Sequence, residues 1–178
     1  MMEESSDTYK TLFLSLQERG LQNPLLVVSD GHKGIIKAVK ESFPGCAWQH
    51  CKVHLMRNIM VHVPHHAKKA FGDKLKEIWQ ASDQEEARKR GKEFCDIYEK
   101  RFPKAIEILE NNLDESLSYY AYPMIDAKKI ASTNMLERLN REIRRRTGVV
   151  GIFPNPSSYI RLVSTYLMEY EEDWSTGR

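Results

Sequence analysis

The chain has 178 residues, 41% of them hydrophobic, with a formal net charge of +2 and three cysteines. That length suits one domain with room for a sizeable core. No apolar run approaches the roughly 18 to 20 residues of a membrane span, and the acidic start MMEESSD has the wrong sign for a signal peptide, so a soluble cytoplasmic protein without a membrane partner is expected. An odd cysteine count offers no disulfide framework, in keeping with a reducing compartment.

The first predicted element is a helix from about Thr8 to Arg19, with Leu12, Leu14 and Leu16 among polar neighbours and Gly20 as its stop. Leu25 to Val28 then read as a strand buried on both faces, because four successive apolar residues leave no polar side. The strand ends in Asp30, flanked by Gly31 and Gly34, where the backbone can turn and a ligand can approach closely. A helix from about Lys33 to Ser42 follows, with Ile35, Ile36 and Val39 on one face, and Cys46 to Trp48 can form a second strand. Strand, helix and strand in so few residues predict a parallel pair, with Asp30 at the carboxyl end where open α/β sheets bind ligands.

Beyond Val53 the pattern becomes helical. Leu55 and Ile59 mark a helix ending near Pro64, and Phe71, Leu75, Ile78 and Trp79 mark the next. Ser82 with Glu85 reads as a capping box for a third helix with the stripe Phe94, Ile97 and Tyr98, and Pro103 opens a fourth through Ile106 and Leu109. The block from about His65 to Leu117 therefore reads as a helical insertion whose Lys89, Arg90 and Lys92 form a solvated face.

Two further stretches carry chemistry. In WQHCKVHLMRN, Cys51 and His54 have the spacing of half a zinc site, with Cys46, His50, His62, His65 and His66 as conceivable partners; a buried thiol beside a hydrogen-bonding histidine is the simpler role. In STNMLERLNREIRRRTG, Leu136, Leu139 and Ile143 define the buried stripe of an amphipathic helix. Its other face lines up Glu137, Asn140, Arg141 and Arg144, which could hold a metal in the first turn and phosphates beyond it. The same residues also fit a purely structural reading, with Asn134 and Glu137 as a capping box and the arginines paired to Glu142 or solvated. Five arginines lie between Arg138 and Arg146, whereas the tail from Glu169 to Asp173 is acidic, so positive charge is concentrated on this segment.

Together, SDGHKG around Asp30, Q-H-C-K-V-H-x-x-R-N from Gln49 to Asn58 and N-x-x-E-R-x-N-R-x-I-R-R-R-T from Asn134 to Thr147 resemble the Mutator-type transposases of bacterial insertion sequences. FPN at Phe153 to Asn155, followed by a helix with Ile160 and Leu162, extends the likeness over nearly the whole chain. The resemblance implies a DDE recombinase with an RNase H-like core: an α/β fold, predominantly helical, whose partial core has few parallel strands and an all-helical insertion. It divides the chain into a partial core at residues 1–64, a helical insertion at 65–123 and carboxy-terminal core helices at 124–178. By the same resemblance Asp30 corresponds to the second catalytic aspartate and Glu137 to the catalytic glutamate, both metal ligands for Mg²⁺ or Mn²⁺. Cys51 and His54 match the family's C-x-x-H pair, and Arg57, Asn140, Arg141, Arg144 and Arg145 are its expected contacts to double-stranded DNA. The intact family is expected to act as homo-oligomers, since two element ends must be brought together.

The first catalytic aspartate of that class should precede Asp30 on an apolar strand. Asp7, the only aspartate upstream, lies in a polar lead-in to a helix and does not fit. The chain is therefore expected to be a carboxy-terminal portion, catalytically incomplete alone, with a partial sheet whose open edge invites self-association. A non-catalytic DNA-binding or regulatory fragment and an RNase H-like nuclease are the competing expectations.

Overall fold

A computed structural model of the chain describes residues 5–176, which fall into two compact units dividing between Thr133 and Asn134. The fold is mostly helical with one small parallel sheet, the class expected from the sequence. Among the described residues no helix is long and apolar enough to cross a membrane.

The first unit opens with α1 (Ser6–Glu18), capped by Ser5, whose hydroxyl accepts from the Thr8 amide at 3.2 Å. Its inward face is Tyr9, Phe13 and Leu16, while Leu12 and Leu14 are 51% and 58% exposed. The leucines marked an apolar helix, but helical spacing from Phe13 selects positions 9 and 16 instead. Phe13 packs with its ring centroid 5.0 Å from that of Phe43 in a tilted contact, beyond the end of α2 (Lys33–Ser42), and Ala38 and Val39 complete this small core.

β1 (Leu26–Ser29) and β2 (Ala47–His50) pair in parallel, from Leu26 opposite Ala47 to Ser29 opposite His50. The expectation of a strand buried on both faces fails here. Leu25 is 74% exposed and precedes the strand, and Leu26 to Val28 are half-buried, because a two-stranded ribbon leaves each strand with an open edge.

The larger core lies among α3 (Lys52–Val61), α4 (His65–Lys76), α5 (Gln84–Tyr98) and α6 (Pro103–Ser116). Phe71 of α4 is its aromatic centre, with edge-on contacts to Phe94, Tyr98 and Phe102 at ring separations of 4.9, 4.9 and 5.4 Å. Ile78 and Trp79 are buried as expected but lie in a 3₁₀ turn, Glu77–Gln80, rather than in α4 itself. The cap of α5 also differs from expectation. Asp83, not Ser82, accepts from the Glu86 amide at 2.8 Å, and Ser82 instead donates to the Asp83 carboxylate, the stronger acceptor. Within α5, Ile97 faces outward at 62% exposure, and Ala87, Gly91, Phe94 and Cys95 form the buried stripe. A second 3₁₀ turn (Ser118–Ala121) and the short α7 (Ala127–Ile130) lead to Thr133.

The second unit pairs α8 (Asn134–Val150) with α9 (Pro156–Ser175). α8 runs through Gly148 and ends at Gly151, whose φ of 72° suits a helix-terminating glycine. Asn155 caps α9, accepting from the Ser158 amide at 2.9 Å, with Pro156 in the first turn. The Arg146 guanidinium lies 4.0 Å from the Tyr166 ring centroid, a cation–π contact between the two helices.

Candidate active site at the carboxyl end of the strands

The backbone around Asp30 is held from both sides. The Ser29 hydroxyl accepts from the Trp48 indole N–H at 2.8 Å and donates to the Asp30 carbonyl at 2.8 Å, while the Cys51 amide donates to the Ser29 carbonyl at 2.8 Å. The Asp30 carboxylate stays exposed, with Oδ1 accepting from the His32 amide at 3.3 Å. His32 in turn caps α2, its Nδ1 accepting from the Gly34 amide at 3.2 Å. Gly31 is required by a close approach: a Cβ there would come within 2.9 Å of Cε1 and Nε2 of His50.

His50 is the residue that the sequence reading undervalued. It ends β2, is 2% exposed, and among the described residues neither ring nitrogen has a hydrogen-bond partner. Burial pushes its pKa below the usual histidine value, opposed by the neighbouring Asn112 side chain and by the charges of Glu115 and Asp30. Asp30, His50 and His54, with Asn58 and Asn112, line an open cleft of about 330 Å³. Asn112 arrives from α6, far along the chain, and no local pattern marks it.

Cys51 and His54 come together, with Sγ 3.2 Å from Nδ1, as a buried thiol beside a hydrogen-bonding histidine. Of the other conceivable zinc partners, Cys46 precedes the opposite end of β2, and His62, His65 and His66 are exposed around the α3–α4 junction. Among the described residues no three His, Cys, Asp or Glu side chains form a metal-binding group. Arg57 is exposed on α3.

On α8, Glu137, Asn140, Arg141, Arg144 and Arg145 are all exposed, but so is Leu136 at 57%, and no residue of the helix is buried, so the apolar stripe expected from Leu136, Leu139 and Ile143 is not covered. Glu142 organises part of the charged surface, receiving a forked pair from Arg145 at 2.9 and 2.7 Å and a third bond from Arg146 at 3.0 Å. Arg145 is thereby engaged within the helix, whereas Arg141 and Arg144 form no ion pair among the described residues. The hydrogen bonds from Arg145 and Arg146 hold the Glu142 carboxyl down at about 2, against an ordinary 4.5. A pKa depressed on folding contributes stability that is complete above the ordinary value and is lost as pH falls toward the folded one. A carboxyl ¹³C NMR titration is therefore expected to put the Glu142 midpoint near 2, and a midpoint near 4.5 would show that the fork does not persist in solution.

A family model described as Transposase, Mutator family matches residues 1–177. The chain is similar to the transposase for insertion sequence element IS256 in transposon Tn4001 of Staphylococcus aureus, 36% identical over 173 residues, 96% of this chain and 44% of that protein. It is also similar to the transposase for insertion sequence element ISRM5 of Rhizobium meliloti, 38% identical over 171 residues, covering 96% of this chain and 43% of the relative. The transposase for insertion sequence element IS406 of Burkholderia multivorans is 36% identical over 176 residues, with 98% and 45% covered. The chain thus spans less than half the length of these curated relatives.

Proposed function

Because the chain belongs to the Mutator family of transposases, we propose that it supplies two of the three carboxylates of a DDE-type site, Asp30 and Glu137, to the cutting and joining of double-stranded DNA. The observation that carries this reading is Asp30 itself. Its carboxylate is exposed at the end of a parallel strand, on a backbone pinned by Ser29 and Trp48, at the mouth of a cleft shared with His50 and Asn112.

The donor set suits a hard divalent ion. Both groups are exposed carboxylates, the oxygen ligands that Mg²⁺ and Mn²⁺ prefer. Divalent ions held there would supply activation of the attacking oxygen and stabilisation of the leaving oxygen in an in-line displacement at phosphorus. The chain's own residues do the rest. Asp30 is oriented by the His32 amide, and Arg141 and Arg144, without ion pairs among the described residues, present two guanidinium forks to phosphate oxygens, with Arg57, Asn140 and Arg145 as further contacts. In this reading the strands belong to an RNase H-like core and the α4–α6 block is an insertion within it. Residues 1–64 and 124–178 then supply the core, and the active assembly is a homo-oligomer. With two carboxylates the isolated chain is expected to bind metal weakly and to leave DNA uncut.

The test is Mn²⁺ binding followed by electron paramagnetic resonance. Asp30→Asn and Glu137→Gln are each expected to weaken binding roughly tenfold or more, with secondary structure unchanged by circular dichroism. Unchanged affinity in both variants would sink the two-carboxylate reading. Salt-steep, metal-independent DNA binding alongside that result would favour a non-catalytic DNA-binding fragment.

A further inference from the structure

We propose that Cys51 and His54 are positioning residues that clamp Thr133 and thereby fix the point from which the Glu137-bearing helix departs. The proposal rests on the reading of Glu137 as a metal-binding carboxylate.

Cys51 is fully buried between β2 and α3. Its Sγ accepts from the Thr133 amide at 3.3 Å and lies 3.4 Å from the Thr133 hydroxyl and 3.2 Å from His54 Nδ1. His54 Nδ1 is itself 3.5 Å from the Thr133 hydroxyl, so thiol, imidazole and hydroxyl close a triangle around one residue. Beside it the Lys52 amide, a donor left over at the start of α3, bonds to the Ala131 carbonyl at 3.1 Å. Ala131 and Ser132 are buried with it. Three consecutive residues, 131–133, are thus seated on the junction of β2 and α3.

The spacing of the pair follows from this task. Cys51 caps the strand end, and His54, one helical turn later, returns to the same side of α3. A cation would be poorly served here, because the Thr133 N–H points at the sulfur and presents its positive end to the same space. The sulfur is suited to the clamp instead, since a thiol can accept the amide while donating its own hydrogen to the imidazole or hydroxyl.

Thr133 closes the first unit and Asn134 opens α8. Glu137 is only four residues on along the chain, in the first turn of α8. Freedom at Thr133 would therefore reach the carboxylate with little attenuation, and misplacement by about 1 Å can cost a catalytic site about 100-fold.

The test is hydrogen–deuterium exchange on the whole chain, read by mass spectrometry over residues 131–138. Cys51→Ala and Thr133→Val are each expected to speed exchange there roughly tenfold while the α4–α6 peptides stay unchanged, with Cys51→Ser restoring part of the protection. Mn²⁺ affinity in Cys51→Ala is expected to fall as far as in Glu137→Gln. Unchanged exchange over 131–138 in both variants, or acceleration spread evenly over the chain, would overturn the clamp. If exchange rises locally while Glu137→Gln leaves Mn²⁺ binding untouched, the clamp stands and the assignment of Glu137 falls.

Discussion

Gln49→Leu is expected to remove about 3–5 kcal/mol of folding stability, a large share of what a domain of this size possesses. Gln49 is fully buried in β2, and its amide is engaged at three points. Nε2 donates to the Ser116 carbonyl at 2.8 Å and to the His50 carbonyl at 2.7 Å, and Oε1 accepts from the Tyr119 amide at 2.9 Å. Leucine matches its bulk but leaves those three buried backbone groups without the partner that Gln49 supplies, and each such group costs about 1–3 kcal/mol. The same amide joins the site-bearing strand to the end of α6, so its loss is also expected to loosen His50 and Asn112 in the cleft. Urea denaturation with an unchanged m-value checks the first expectation. A midpoint within experimental error of the parent would mean that water satisfies the three groups.

Phe71→Ala is expected to cost about 3–5 kcal/mol by a different route, the loss of apolar burial together with an unfilled cavity. The ring is 1% exposed and is surrounded edge-on by Phe94, Tyr98 and Phe102, so no single neighbour can collapse into the space. Phe71→Leu is expected to recover about half of the loss, because much of the volume returns without the edge-to-face geometry. Thermal unfolding followed by circular dichroism decides between this and a core that relaxes; a loss under about 1 kcal/mol for alanine would show that it relaxes.

Several elements were legible because their signals are local. α2 spans the residues expected of it, since the Gly31–His32 turn and Phe43–Pro44 bound it on either side. Pro103 opened α6 for an equally local reason. Failures clustered where two local solutions were nearly equivalent. Ser82 and Asp83 both can cap α5, and the carboxylate won; Leu12, Phe13 and Leu14 all can face a core, and Phe43 chose Phe13. The expected doubly buried strand failed because burial depends on how many neighbours a sheet acquires, which four apolar residues cannot specify.

By itself the sequence determined the helical class, the parallel strand pair, the placement of Asp30 at a strand end and the motifs that mark the family. Periodicity, caps and turns act over a few residues and are written in their order. Only the tertiary structure decided that His50 lies buried against Gly31, that Asn112 shares its cleft, that Gln49 ties β2 to α6 and that Cys51 and His54 close on Thr133. These contacts join residues that are remote along the chain, and a hydrogen bond between them exists only once packing has brought both partners to the same place.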